Sequence, residues 1–344
     1  WENSTQSLCR RSVISLLFIV SQRKINRSSC QRNKNRQIMS RQITAGKAEK
    51  NEETAAEDAG RNEKTTAKKT ERKERNILLT IEYDGSCFRG WQRQPQVRTV
   101  QGELERVLSR VCNTEIKING TSRTDAGVHA LGQRASFKGA FGIPTPKLML
   151  AANNLLAGGM HNRKGVGDVR ILSAEEKEGG FHARFDSKGK TYRYIIRNTP
   201  DVDIFRRNYC YQVRQSLDME AMKEAAGFIE GTHDFKCFQA AGGQERETTV
   251  RTIHSIDIYR QEDDVIIEVT GDGFLYNMVR IIVGTLTEVG LGKRKAQELP
   301  KIIESRDRQN AGHTAPAEGL YLVEIYYDSI FGGKNGETET TDLG

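Results

Sequence analysis

Cysteine, histidine and long apolar runs are all scarce in this chain, and each shortage removes a class of protein. The six cysteines (Cys9, Cys30, Cys87, Cys112, Cys210 and Cys237) include no C-x-x-C pair. That argues against a zinc site and a dense disulfide framework, and makes a reducing compartment the default. The six histidines are equally dispersed. Without H-E-x-x-H, or H-x-E followed by P-C-x-x-C, metallohydrolase and zinc-deaminase readings fall away, and no metal is expected. The longest apolar run, Val13 to Val20, is far short of the roughly 20 residues a membrane-spanning helix needs.

Positive charge is plentiful but unevenly placed. The 344 residues carry a net charge of +8, yet residues 1–76 hold 18 Lys/Arg against 9 Asp/Glu, leaving 35 against 36 in the remainder. A nucleic-acid partner must therefore be argued from local constellations, not from overall basicity. Residues 1–76 lack sustained periodicity and are rich in polar and charged side chains, which predicts a disordered basic leader. Within it, residues 1–47 hold ten basic residues and one acid, Glu2, with Ser and Thr interspersed. This composition fits a transit peptide to a mitochondrion or plastid. The first methionine is Met39; on the alternative that part of the leader is not translated, the protein is cytoplasmic or nuclear. The tail, 329–344, is polar and acidic and is expected to be flexible.

From residue 77 the pattern becomes that of a folded α+β protein. Ile77–Tyr83 reads as a strand, and Val100, Leu104, Val107, Leu108 and Val111 recur at helical spacing. Strands are predicted at 115–120 and 133–138. A helix follows that starts at Pro146 after a Thr145 cap, and then a strand at 168–172. The second part repeats this order: a strand at 190–197, then a helix carrying Met222, Ala225, Ala226 and Ile229 that stops at Gly231. Strands at 252–259 and 265–270 come next, with a helix carrying Met278, Ile282, Leu286 and Val289. A short helix near 295–305 precedes a strand at 320–327. Two successive βαββαβ units, 77–186 and 187–328, predict two ferredoxin-like or RNA-recognition-like halves.

The densest polar cluster is Thr121-Ser122-Arg123-Thr124-Asp125-Ala126-Gly127-Val128-His129. Asp and Gly are ordinary turn residues, so spacing alone leaves open whether Asp125 is catalytic. The stretch GTSRTDAGVHALGQ resembles the G-R-T-D-A-G-V-H-x-x-G-Q signature of the TruA-type tRNA pseudouridine synthases. Further motifs of that family are resembled in order: Tyr83-Asp84-Gly85 with Phe88–Gln94, then Phe181–Phe185, then Lys190–Tyr194. Gly273–Gly284 and Ala317–Leu322 complete the set, which spans about 77–327. One departure is Ser122, where the family usually has glycine; either the position does not need positive φ or the loop is remodelled.

The resemblance implies isomerisation of uridine to pseudouridine at tRNA positions 38 to 40 in the anticodon stem-loop, a homodimer, and no cofactor or metal. It also implies a pseudouridine-synthase fold with the active-site cleft between the halves. Asp125 matches the catalytic aspartate, and Arg280 its cationic partner. Without the match, Arg280 reads either as a surface arginine or as a buried one; the apolar Met278, Val279, Ile281, Ile282 and Val283 around it favour burial. Tyr192 matches a tyrosine that stacks on the extruded uracil and takes part in moving the C5 proton. Arg123 would fill the space left by the flipped nucleotide or meet a phosphate. Arg89, Trp91 and Arg93 lie in a loop suited to stacking and backbone contacts with RNA. His129 is given no role. Whether Asp125 adds to the base, adds to the sugar, or acts as a base on the sugar stays open.

Overall fold

The computed structural model describes residues 73–158, 167–242 and 247–328. The expectations for the leader up to residue 72 and for the tail from residue 329 lie outside them. Strand β1 is Glu74–Tyr83 and begins three residues earlier than its apolar core suggests. Ile77, Leu78 and Leu79 are all fully buried, so both faces of this strand are covered. Helix α1 (Val100–Cys112) starts where the Thr99 hydroxyl accepts from the Gly102 N–H and ends at Asn113 in the left-handed conformation. Its Val100, Leu104, Val107 and Leu108 form the stripe that faces the core.

The strand expected at 115–120 is reduced to β2, Asn119–Gly120. Ile116 and Ile118 are buried as the alternation suggests, but α1 side chains satisfy their backbone. The Ser109 hydroxyl accepts from the Ile116 N–H, Glu105 accepts from the Ile118 N–H, and Gln101 donates to the Ile118 carbonyl. With those groups occupied, no neighbouring strand is needed. Strand β3 (His129–Ala140) follows, then α2 (Thr145–Ala157) and β4 (Val169–Lys177). Thr145 is the first helical residue and not the cap; its hydroxyl is engaged by Arg75 and Glu176.

The second part contains β5 (Gly189–Arg197), β6 (Tyr211–Gln212), α3 (Met219–Gly227) and β7 (Gly231–Asp234). Helix α3 stops before Gly231, which instead opens β7 at φ +103°. Then come β8 (Val250–Gln261), β9 (Asp264–Gly271), α4 (Met278–Gly290), α5 (Leu299–Ser305) and β10 (Leu320–Tyr326).

All ten strands belong to one sheet with the order β4-β1-β3-β10-β5-β9-β8-β7; β2 pairs β3, and β6 pairs β5. The same spatial order therefore occurs twice, as β4-β1-β3-β2 and as β10-β5-β9-β8. The boundary expected after residue 186 divides a continuous sheet. The join is a two-residue parallel contact, Tyr321 opposite His129 and Leu322 opposite Ala130. Leu322 also faces Tyr192 across β10 and β5. This register sets Tyr192 on β5, separated from the start of β3 by β10 alone, beside the loop that carries Asp125. Among the described residues no helix is long and apolar enough to cross a membrane.

Candidate active site

Residues 121–128 connect β2 to β3, and the segment after β1 fixes their shape. Gly90 sits at φ +88°, and a Cβ there would lie 2.8 Å from the Thr124 carbonyl oxygen. The Trp91 N–H donates to that same oxygen at 3.0 Å, while the Tyr83 and Thr124 hydroxyls meet at 2.8 Å. Gly90→Ala is therefore expected to cost about 1–3 kcal/mol in backbone strain. By displacing the Asp125 backbone it should also slow turnover on the order of 100-fold. A thermal melt and an activity assay check both; unchanged values would show that the loop does not depend on this contact.

Asp125 projects into a cleft of about 800 Å³ lined by both parts of the chain. Its side chain is 26% exposed and faces Arg280 of α4, whose side chain is 17% exposed, with Nη1 to Oδ2 at 3.4 Å. Burial raises the Asp125 carboxyl above the ordinary carboxylate value, and the Arg280 charge and hydrogen bond oppose this. Arg280 is itself fixed: its Nε donates to the Ala315 carbonyl at 2.8 Å and its Nη1 to Asn277 Oδ1 at 2.9 Å. Asn277 adopts φ +60° just before α4, an uncommon backbone state at a position that orients the cation.

Tyr192 lies on the cleft floor, 6% exposed, with its ring edge-on to Phe274 at 5.1 Å. Its hydroxyl is 2.7 Å from the Ser122 hydroxyl. Burial pushes its phenol up to about 12, so it is neutral at physiological pH. Ser122 has no positive φ, so serine fits this position without strain.

Arg123 and Arg89 are exposed and line the cleft. Trp91 and Arg93 are not among the residues that line it. Trp91 is 2% exposed, its ring occupying the space where a Gly120 side chain would be, at 2.4 Å from an added Cβ. Arg93 turns to α1 and pairs with Glu105 at 3.1 Å. Three cleft cations were not singled out from the sequence: Arg184, Lys190 and Arg251. Arg184 and Lys190 belong to the resembled middle motifs and could have been found there. Together with Arg89, Arg123 and Arg280 they give six cations against Asp125 and Asp272 in the lining. The near-neutral body thus concentrates positive charge where a polyanion would enter.

His129 is structural. Its Nδ1 accepts from the Gly85 N–H at 3.1 Å, its Nε2 meets the Asn208 carbonyl at 2.9 Å, and its ring stacks on Tyr321 at 4.7 Å. It ties the loop 198–210 to the segment after β1.

The family model for tRNA pseudouridine synthase matches residues 79–157 and 225–328. The chain belongs to the tRNA pseudouridine synthase family. It is 48% identical over 253 residues to tRNA pseudouridine synthase A of Acetivibrio thermocellus, covering 74% of this chain and all of that one. It is 49% identical over 254 residues to tRNA pseudouridine synthase A of Ruminiclostridium cellulolyticum, with the same coverage. The enzyme of that name from Halalkalibacterium halodurans is 46% identical over 72% of this chain and 90% of its own. Among the described residues, no group of three or more His, Cys, Asp or Glu side chains could hold a metal ion.

Proposed function

We propose that this synthase-family chain isomerises uridine to pseudouridine in tRNA, at positions 38 to 40 of the anticodon stem-loop, with Asp125 as the reacting carboxylate. The observation that carries the reading is the Asp125–Arg280 pair inside a cation-lined cleft. The reaction breaks the N1–C1′ bond, turns the uracil, joins C5 to C1′, releases the C5 proton and protonates N1, with no redox change. A single carboxylate beside a fixed cation is suited to it, and an 800 Å³ cleft is large enough for an extruded nucleoside. Arg123, exposed and in the cleft lining, would replace the extruded base in its stack or pair with phosphate. The test is incubation of the purified protein with unmodified tRNA transcript, followed by site-resolved pseudouridine mapping. Pseudouridine at 38–40 is expected. Its absence from every position would overturn the reading.

Tyr192 is proposed to stack on the uracil and to take part in moving the C5 proton. Tyr192→Phe keeps the ring and should slow the single-turnover step roughly 100-fold while tRNA affinity holds. Tyr192→Leu should additionally lose stacking worth about 1–3 kcal/mol. Rapid-quench rates separate the roles: a fast Phe variant with a slow Leu variant means stacking alone, and two fast variants place Tyr192 outside the chemistry.

As partners we propose tRNA and a second copy of the chain, the latter following from the family resemblance. Light scattering that returned a monomer mass with and without tRNA would remove the dimer. The basic leader is proposed to direct the protein to a mitochondrion or plastid, which imaging of a full-length fusion tests.

A further inference from the structure

We propose that Ser122 is a positioning residue for the proton step, its hydroxyl holding the Tyr192 hydroxyl in place on the floor of the cleft. This rests on the reading of Tyr192 given above. Among the described residues, the Tyr192 hydroxyl has one hydrogen-bond partner, Ser122 Oγ at 2.7 Å, and Ser122 Oγ has no other. Both residues line the cleft and both are buried.

Ser122 can act as a fixed anchor because its own backbone is clamped. Gln133 of β3, completely buried, donates from Nε2 to the Ser122 carbonyl at 2.6 Å and accepts the Ser122 N–H at Oε1 at 3.3 Å. A side-chain amide matched to both polar groups of one peptide residue leaves that residue little rotational freedom. Phe274 meets the Tyr192 ring edge-on at 5.1 Å and limits its position from another side. Ring and oxygen are therefore held independently, the ring by packing and the oxygen by Ser122.

The chemistry gives the anchor a purpose. When C5 loses its proton, the electron pair of the C–H bond re-forms the ring double bond. The phenolic oxygen takes the C5 proton as its own proton passes to water in the cleft that Tyr192 lines, with the Ser122 hydroxyl donating to the remaining lone pair, so the phenol is unchanged overall. Burial disfavours negative charge on the phenolic oxygen, and the Ser122 hydrogen bond works in the opposite direction. Without the serine hydroxyl, the phenol would be buried with no protein partner and free to rotate away from the base.

The test is a double-mutant cycle on the full chain with tRNA carrying hydrogen or deuterium at uracil C5. Ser122→Ala is expected to slow single turnover about tenfold, the loss of one well-placed hydrogen bond. It should also enlarge the C5 isotope effect while tRNA affinity stays within about twofold. Ser122→Gly, which removes the same hydroxyl with less bulk, should reproduce the loss. In a Tyr192→Phe background neither substitution should slow the reaction further. An equal loss in both backgrounds would make Ser122 merely structural and overturn the inference. Wild-type speed for Ser122→Ala beside a slow Tyr192→Phe would overturn it alone. A fast Tyr192→Phe would overturn the reading of Tyr192 and this inference with it.

Discussion

Asp125→Asn is expected to lower pseudouridine formation by at least about 10⁴-fold, since it removes the carboxylate that, among the described residues, pairs with Arg280, and keeps its shape. Tritium release from tRNA labelled at uracil C5 measures the loss, and filter binding should show tRNA affinity within a few-fold of wild type. Stability should move the other way. Burial raises the Asp125 carboxyl above its value in the unfolded chain. Its ionisation therefore weakens the fold, a penalty that develops as pH rises from the unfolded value through the folded one and is complete above it. At neutral pH the Asn variant should melt no lower than wild type, and any advantage should shrink in acid. An active Asn variant would remove Asp125 from the chemistry.

Arg280→Met should cost on the order of 1,000-fold in activity. The guanidinium is the cation that opposes the burial of Asp125, so its removal sends the carboxyl higher still and leaves less of it ionised at a given pH. In the wild type, activity should fall on the acid side as pH drops through the folded Asp125 value, which lies above the ordinary carboxylate range. In the Met variant that acid limb should move to higher pH, with part of the activity regained in alkaline buffer. The hydrogen bonds to Ala315 and Asn277 are lost as well, so stability should fall by about 1–3 kcal/mol. An unshifted acid limb would show that Arg280 does not control the ionisation of Asp125.

What the sequence discloses is set by how local each cause is. Helix α1 and strand β1 follow from apolar spacing and a Thr cap, signals contained within a dozen residues. Ile116–Ile118 reads as strand by the same alternation, but its backbone is satisfied by three α1 side chains, an arrangement that no spacing rule records. Trp91 looked like a loop aromatic available to RNA; its burial depends on the missing side chain of Gly120, distant in sequence and adjacent only in the fold. Arg93 pairs with Glu105 on the neighbouring helix, a contact that no spacing within its own loop records. Asp125, Arg280 and Tyr192 were legible because their motifs carry them. The clamp of Gln133 on Ser122, and the Ser122 contact with Tyr192, join three elements through β-sheet register and become visible only when the strands are paired.

Whether this chain makes pseudouridine in tRNA with Asp125 is read most directly from a site-resolved pseudouridine map of tRNA from cells lacking the protein. Loss of pseudouridine at positions 38 to 40, restored by the wild-type gene and not by Asp125→Asn, is the expected result. An unchanged map in the deletion strain, or full restoration by the Asn variant, would contradict it.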